Sequence, residues 1–459
     1  VELLYWLCMD SLKLSTLFKG KVITSADAEY DAERQVFYGG IDNKPAAIIK
    51  VADAEDIQKA IAFARDQNLE LVVRSGGHSP YSATDGGIVI DLRNLHEIDV
   101  NEASKTVWAG SGLTAGQLTT ELDKYNLAIG FGDTGSVGIG GITLGGGVGF
   151  LARKFGLAID NLLAAEIVTA DGEILQVDSE NNADLFWAIR GGGGNFGVVT
   201  KFKYALHNLN ECYGGMLLLP ATPEVISDIT QIAKEAPEEL SMIINVMPAF
   251  PAPFVPKEFH GEMSVMALVM YAGDAGEGEK VLAPMRALAE PIADMLKPMR
   301  YKDIFMPENA DYHPTAVSTN LFIEDIDRDS AVNILDWLGR IDASMKAFQF
   351  RVLGGAVARI ADDATAYAHR KNAIMGNVAC FYEADDQKPL RQAWVNDFAD
   401  SLRQGNTEAY VNFIGVTERD KALTAYPEQT LARLQRIKAV YDPMNVFRAN
   451  FNITPAKEL

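Results

Sequence analysis

Residues 138–149 read Gly-Ile-Gly-Gly-Ile-Thr-Leu-Gly-Gly-Gly-Val-Gly, seven glycines in twelve positions. They are the dense end of a longer run, GFGDTGSVGIGGITLGGGVG, from Gly130 to Gly149. So many glycines exceed the needs of one turn. Without Cβ atoms, backbone N–H groups can close on a phosphate, so the tract reads as a ligand cradle. The dinucleotide-binding βαβ fingerprint is the first comparison, and it fails. After Gly138 and Gly140 a third glycine is required at position 143, where Thr143 stands. No clean strand leads directly into the turn, and no acidic residue closes a second strand about 20 positions on. Asp160 falls in a new loop instead. A nicotinamide-dinucleotide domain is therefore disfavoured.

Upstream of the tract, strand and helix signals alternate. Ala47–Val51, Leu71–Val73 and Ile88–Leu92 are short apolar runs that read as strands. Asp53 is placed to cap a helix whose apolar face is Ile57, Ala60, Ile61 and Ala64. Thr114-Ala-Gly-Gln117 is a capping-box pattern opening a helix through Leu122. The strand before Arg74 runs into Arg74-Ser-Gly-Gly-His-Ser79, where two glycines allow a tight loop that presents His78. Downstream, Asn161–Thr169 and Glu173–Val177 read as strands around the turn Ala170-Asp171-Gly172. A second glycine cluster, GGGGNFG, follows at 191–197.

From about residue 206 the texture changes to strands apolar on both faces. In MIINVMPAFPAPFVP (242–256), Met242, Ile244 and Val246 lie on one face and Ile243 and Met247 on the other. MSVMALVMY (263–271) is similar. Such a sheet must be covered on both sides. Helices expected over Ala275–Leu296 and Ser330–Ile341 supply one cover, leaving the other to a ligand or a second unit. A last helix carries Leu431, Leu434 and Ile437 on one face.

RSGGHS (74–79) followed by SVGIGGITLGGGVGFLARKFGLAIDN (136–161) resembles the FAD-binding domain of the p-cresol methylhydroxylase (PCMH) and vanillyl-alcohol oxidase superfamily. ADLFWAIRGGGGNFGVVT (183–200), Ala368-His369-Arg370, AYVNF (409–413) and YDPMNVFRANFNI (441–453) are similar to the berberine bridge enzyme-like branch. The resemblance spans nearly the whole chain and is weakest from about 210 to 350. It implies an α+β fold: a two-subdomain PCMH-type FAD-binding domain and a substrate domain with a large antiparallel β-sheet covered by helices. The implied division is 1–205 for the FAD-binding domain, completed by 415–459, and 206–414 for the substrate-binding domain.

The resemblance also implies an FAD-dependent oxidoreductase with the flavin 8α carbon bonded to His78. In many relatives a cysteine three residues before the Val-Gly of the tract makes a second bond. Here that position is Thr134 and no cysteine is near, so only the histidyl bond is expected. The implied cofactor site comprises Arg74, Ser75, Gly76, Gly77, His78 and Ser79. From the tract it takes Thr134, Val137, Gly138, Gly140, Gly141, Thr143 and Gly145. Val198, Asn450 and Asn452 complete it. Tyr410 matches the family's catalytic tyrosine, and strand periodicity places Asn412 and Ile414 on its face, opposite Val411 and Phe413. As proton acceptor, a tyrosine with an unperturbed pKa of ~10 needs that value depressed, or must act in concert with hydride transfer. The carboxylate that several plant relatives carry after the His-Arg step is absent: the region reads Met375-Gly376-Asn377. The family's proline before that step is Ala368 here.

The expected reaction is oxidation of a small, partly apolar alcohol or amine, with O₂ as acceptor and H₂O₂ as product. Val137, at the position associated with oxygen access, favours an oxidase. The alternatives are a dehydrogenase with another acceptor, an oligosaccharide oxidase, or a non-catalytic flavin-binding protein. Loss of the cysteine speaks against the double-linked sugar oxidases, and retention of Tyr410 and Asn412 against a non-catalytic protein. Tyr271, Tyr312, His313, Asn320 and Arg351 read as structural or solvated.

Composition sets the outer limits. The chain has 459 residues, 48% of them hydrophobic, with 41 Lys and Arg against 62 Asp and Glu, for a formal net charge of −21. That acidity repels nucleic acid and anionic membranes. No apolar stretch approaches the ~18–20 residues of a membrane span. Val1–Met9 is apolar but lacks the basic n-region of a signal peptide. Cys8, Cys212 and Cys380 are too sparse for a disulfide scaffold or zinc site and read as reduced thiols of a cytoplasmic protein. No metal motif is present, and the acidic runs Glu324–Asp329 and Asp385-Asp386 read as solvated loops.

Overall fold

A computed structural model describes residues 14–309, 311–415 and 425–457. Val1–Met9, with Cys8, lies outside the described residues. The first unit is a four-stranded sheet of β1 (Lys21–Ile23), β2 (Ala47–Lys50), β3 (Leu71–Arg74) and β4 (Ile88–Asp91), in spatial order β1-β2-β4-β3. β2 and β3 run parallel to β4, and β1 is antiparallel to β2. The continuous apolar runs suit strands buried on both faces. The Ala54–Asp66 helix begins where Asp53 accepts a hydrogen bond from the Asp56 amide, and it buries Ile57, Ala60, Ile61 and Ala64.

The second unit uses β5 (Ile98–Asn101), β6 (Thr106–Gly110), β7 (Leu127–Ala128), β8 (Leu162–Val168), β9 (Ile174–Asp178), β10 (Val198–Ala205) and β11 (His207–Asn208). Five of these form an antiparallel sheet in the order β5-β6-β10-β8-β9, while β7 pairs with β11. The expected capping box closes at Thr114 and Gln117, opening the Ala115–Asp123 helix. Within the glycine tract a short helix, Ile139–Gly145, is stopped by Gly146 and Gly147 at φ +144° and +80°, where side chains are strained.

The third unit holds β12 (Cys212–Pro220), β13 (Leu240–Pro248), β14 (Met263–Tyr271), β15 (Ala293–Asp294), β16 (Lys297–Met299), β17 (Ala316–Ile323), β18 (Lys346–Val352) and β19 (Ile374–Phe381). They form one antiparallel sheet in the order β15-β12-β14-β13-β18-β19-β17, with β16 also on β12. The helices Pro223–Glu235, Ala275–Arg286, Arg328–Gly339 and Lys388–Leu402 cover one face. There Ile226, Ile229, Leu282, Ile334 and Phe398 pack on Met242, Ile244, Val246 and Phe348. The other face meets the glycine-rich unit: Ile243 and Met270 join Phe150 and Leu151, and Phe322 and Met375 join Val148 and Tyr410. Both faces of the doubly apolar strands are thus covered.

Two local expectations are corrected. The helix expected over Ala275–Leu296 ends at Arg286, because Pro291 has no N–H and disfavours helix at Glu290; the chain instead pairs with the sheet edge as β15. AYVNF is not a strand. Val411–Phe413 is a 3-10 turn, because the Tyr410 backbone bonds to a side chain: its N–H donates to Asn320 Oδ1 at 2.5 Å and its carbonyl accepts from Asn320 Nδ2 at 3.3 Å. Cys212 and Cys380 are buried and unpaired. Among the described residues no helix is long and apolar enough to cross a membrane, and no cluster of three His, Cys, Asp or Glu side chains is grouped to hold a metal.

Candidate active site

A cavity of about 480 Å³ opens where the three units meet. The RSGGHS loop and the glycine tract form one wall by backbone contact. A Cβ on Gly76 would lie 2.2 Å from Gly138 N, and one on Gly138 2.1 Å from Gly76 N. Ser75 Oγ ties the loops together, donating to Ser111 O at 2.6 Å and accepting from Gly140 N at 3.3 Å. By contrast a Cβ on Gly141 meets nothing within 4 Å, so this glycine faces the open cavity as a ligand cradle requires.

His78 lies in the same wall. Its ring stacks on Phe37, centroids 4.3 Å apart and planes 18° apart. Nε2 is 2.7 Å from Ser136 Oγ, and the Ser136 hydroxyl donates to Glu308 Oε2. With that proton committed to Glu308, Ser136 accepts from Nε2–H, which assigns the tautomer and leaves the Nδ1 lone pair unused. Burial lowers the His78 pKa against the pull of Glu308 and Asp133, which favours the neutral ring.

Tyr410 stands among the cavity residues contributed by 410–415 and is 2% exposed. Its hydroxyl accepts from Gly147 N at 2.9 Å and from Asn412 Nδ2 at 2.8 Å. Burial pushes its pKa up to about 12, with those donors opposing. A depressed pKa, one of the two routes expected for a tyrosine base, is therefore not what this environment supplies. Asn412 still reaches Tyr410, through the 3-10 turn rather than a shared strand face.

Of the residues expected to hold the cofactor, Ser75, Gly76, Gly77, His78, Ser79, Thr134, Val137, Gly138, Gly140, Gly141, Val198 and Asn450 line the cavity. Four do not. Arg74 is buried behind its loop, donating to the carbonyls of Glu33 at 2.5 Å and Ser82 at 3.0 Å, and burial lowers its pKa to about 10. Thr143 turns inward to the Tyr204 hydroxyl at 2.8 Å. Gly145 backs Asn412, whose Oδ1 would lie 2.1 Å from a Cβ there. Asn452 lies off the wall, its Oδ1 buried without a partner. The His-Arg step is scaffold: Arg370 makes two 2.7 Å bonds to the carboxylate of the half-buried Asp160, and His369 Nε2 donates to Ala425 O at 2.7 Å.

Sequence reasoning passed over several cavity residues. Arg351, read as structural, lines the cavity from β18, pairs with Asp133, and holds its guanidinium carbon 5.0 Å from the Phe413 ring centroid. Asn377, noted only as a missing acid, also lines it, as do Gln349 and Phe37. Ser136 and Glu308 stand behind the wall and hold the His78 ring; Ser136, next to Val137, was within reach of sequence reading, whereas Glu308, far along the chain, carried no signal. Asn320 is structural as expected, but its task is to hold Tyr410. Tyr271 packs in the sheet core, Tyr312 is 57% exposed, and His313 Nδ1 donates to Val36 O at 3.0 Å.

Residues 45–178 match the model of an FAD binding domain, and residues 409–454 that of the berberine and berberine-like segment. An FAD-linked oxidoreductase of Dictyostelium discoideum is 30% identical over 425 residues, covering 90% of this chain and 89% of the relative. The (R)-6-hydroxynicotine oxidase of Paenarthrobacter nicotinovorans is 30% identical over 466 residues, covering 97% and 99%. The crystal structure of 6-hydroxy-D-nicotine oxidase from Arthrobacter nicotinovorans superposes with a TM-score of 0.85 at 26% identity, over 96% of this chain and 98% of that one.

Proposed function

Since the chain belongs to the FAD-linked oxidoreductases with a berberine-like C-terminal segment, we propose that it is an oxidase of a small alcohol or amine, with O₂ as electron acceptor and H₂O₂ as product. Bound FAD supplies the two-electron acceptor for the hydride and the route of those electrons to O₂. The single observation that carries the reading is that His78, Gly141 and Tyr410 line one cavity, with Gly141 open towards it. The division into 1–205 with 415–459 for FAD and 206–414 for substrate belongs to the same proposal.

His78 is the attachment residue in this reading. Its neutral ring, with Nδ1 free and Nε2–H held by Ser136, presents a nucleophilic lone pair. Thr134 provides no second attachment. Ser75–Ser79, Gly138, Gly140, Gly141, Val198 and Asn450 hold the cofactor, and the backbone at Gly141 approaches it without a side chain between.

Tyr410 and Asn412 are the catalytic pair. Both lone pairs of the Tyr410 hydroxyl are engaged by Gly147 N–H and Asn412 Nδ2. While protonated, the phenol therefore meets a substrate as a donor; ionised, it takes the substrate's proton. Val137 lines the cavity and is small enough to leave O₂ room.

The test is a screen of small alcohols and amines for peroxide release, followed by stopped-flow reoxidation of the reduced protein in aerated buffer. Reduction by such a substrate with rapid reoxidation is expected. A reduced flavin that persists in air would overturn the oxidase reading in favour of another acceptor.

A further inference from the structure

Four amide side chains stand in one row across the large sheet. Asn245 pairs across strands with Gln349, Gln349 with Asn377, and Asn377 with Asn320. Arg351 lies two residues beyond Gln349 on β18, on the same face. Most of the row is satisfied. Gln349 Nε2 donates to Asn245 Oδ1 at 2.8 Å, Asn245 Nδ2 to Met266 O at 3.4 Å, and Asn320 is taken up by the Tyr410 backbone.

Two groups are left over. Arg351 is 3% exposed and pairs through Nη2 with Asp133, but its buried Nε and Nη1 have no hydrogen-bond partner. Asn377 Oδ1 is likewise buried without a partner. Both residues line the cavity. Buried polar groups are nearly always paired, so spare donors beside a spare acceptor at a cavity describe what a ligand brings. Arg351 and Asn377 are diagonal cross-strand neighbours on one face, a relationship in which backbone positions lie ~7–8 Å apart and long side chains reach a common small molecule. Asp133 already balances the Arg351 charge, so a carboxylate ligand would face Asp133, whereas a neutral carbonyl oxygen would not.

We propose that Arg351 and Asn377 form a substrate-selecting pair for a neutral molecule with a carbonyl oxygen beside an N–H, as in an amide or lactam. Arg351 donates to the oxygen and Asn377 Oδ1 accepts from the N–H. This rests on the oxidase reading above and names the group by which such a substrate is held, leaving the oxidised carbon to Tyr410.

The experiment titrates the flavin spectrum of the holoprotein with benzamide, acetophenone and benzoate, which share one outline. Acetophenone keeps the carbonyl and loses the N–H; benzoate replaces the amide with an anion. Benzamide is expected to bind tightest, acetophenone roughly 5- to 10-fold more weakly, and benzoate more weakly than benzamide. Asn377→Leu should erase the gap between benzamide and acetophenone. Arg351→Leu should weaken both by roughly 10- to 100-fold, its flavin absorbance reporting that the fold is kept. Acetophenone matching benzamide in the parent protein, or benzoate exceeding it, would overturn the pairing with no variant needed. So would a spectrum indifferent to all three while alcohols or amines still release peroxide, an outcome that leaves the oxidase reading standing.

Discussion

Asn412 Nδ2 donates to the Tyr410 hydroxyl at 2.8 Å from only two residues further along the chain. The 3-10 turn between them folds Asn412 back, and Gly147 N–H approaches the same oxygen at 2.9 Å. A base that removes a substrate proton typically contributes ~10²- to 10⁴-fold in rate. Tyr410→Phe is therefore expected to slow flavin reduction by that order while leaving reoxidation by O₂ nearly unchanged. Reduction within a few-fold of the parent, measured anaerobically by stopped flow, would assign the proton to another group.

The pH dependence follows from burial of the same hydroxyl. With its pKa pushed up to about 12, Tyr410 stays protonated through pH 10, and its ionised fraction grows about tenfold per pH unit. With an alcohol substrate, which does not itself titrate in this range, flavin reduction should rise with pH and show no plateau below pH 10, and Tyr410→Phe should flatten the rise. A plateau reached near pH 7 or 8 in the parent would contradict the assignment.

Attachment through His78 alone predicts a pellet that stays yellow after acid precipitation and a single flavin peptide spanning His78 on digestion. His78→Ala should yield a colourless pellet. A second flavin peptide containing Thr134 would refute single attachment.

Gly140 and Gly141 should respond differently to valine, though they are adjacent. A Cβ at Gly140 lies 2.9 Å from Ser75 Cβ and 3.1 Å from Ser111 O, so Gly140→Val should lower fold yield and flavin content together. Gly141 faces open space, so Gly141→Val should keep the protein's circular dichroism and lose flavin. Full flavin content in Gly141→Val would misplace the cradle.

Lys438 is fully buried and donates to Asn195 O at 2.6 Å, Phe447 O at 2.8 Å and Asp442 Oδ2 at 2.5 Å. Lys438→Met leaves Asp442 buried without its counter-charge, a change that typically costs ~3–5 kcal/mol. A thermal melt should show a fall of several degrees, and the 191–197 loop, three of whose glycines line the cavity, loses its bond at Asn195 O while keeping those at Gly191 and Gly193. An unchanged melting temperature would show that Asp442 finds another partner.

The parts of this chain legible in sequence are those fixed locally. The capping box at Thr114, the helix face of Ile57, Ala60, Ile61 and Ala64, and the doubly apolar strands each follow from neighbours within a few residues. The glycine loops were legible as sharp turns of one region, but that they line a single cavity, and which glycines face it, depends on where the second loop sits, as Gly76 and Gly138 show. Tyr410 was placed on a strand because its own five residues alternate suitably; Asn320, ninety positions away, decides otherwise. Arg351 and Asn377 were missed because strand register, not local pattern, brings them beside the cavity.

The walls of the cavity come from both ends of the described chain, Phe37 on one side and Phe451 on the other. Synthesis runs from the first towards the second, so the cavity is complete only after almost all of the described chain has been made. Contacts this distant in sequence form slowly. On the proposed placement of FAD in this cavity, cofactor capture is a late event in biogenesis: chains interrupted before Asn450 lack part of the wall, and protein produced faster than flavin is supplied should accumulate in a folded, colourless pool. The yellow fraction of a preparation then reports riboflavin supply during expression as much as the quality of the fold.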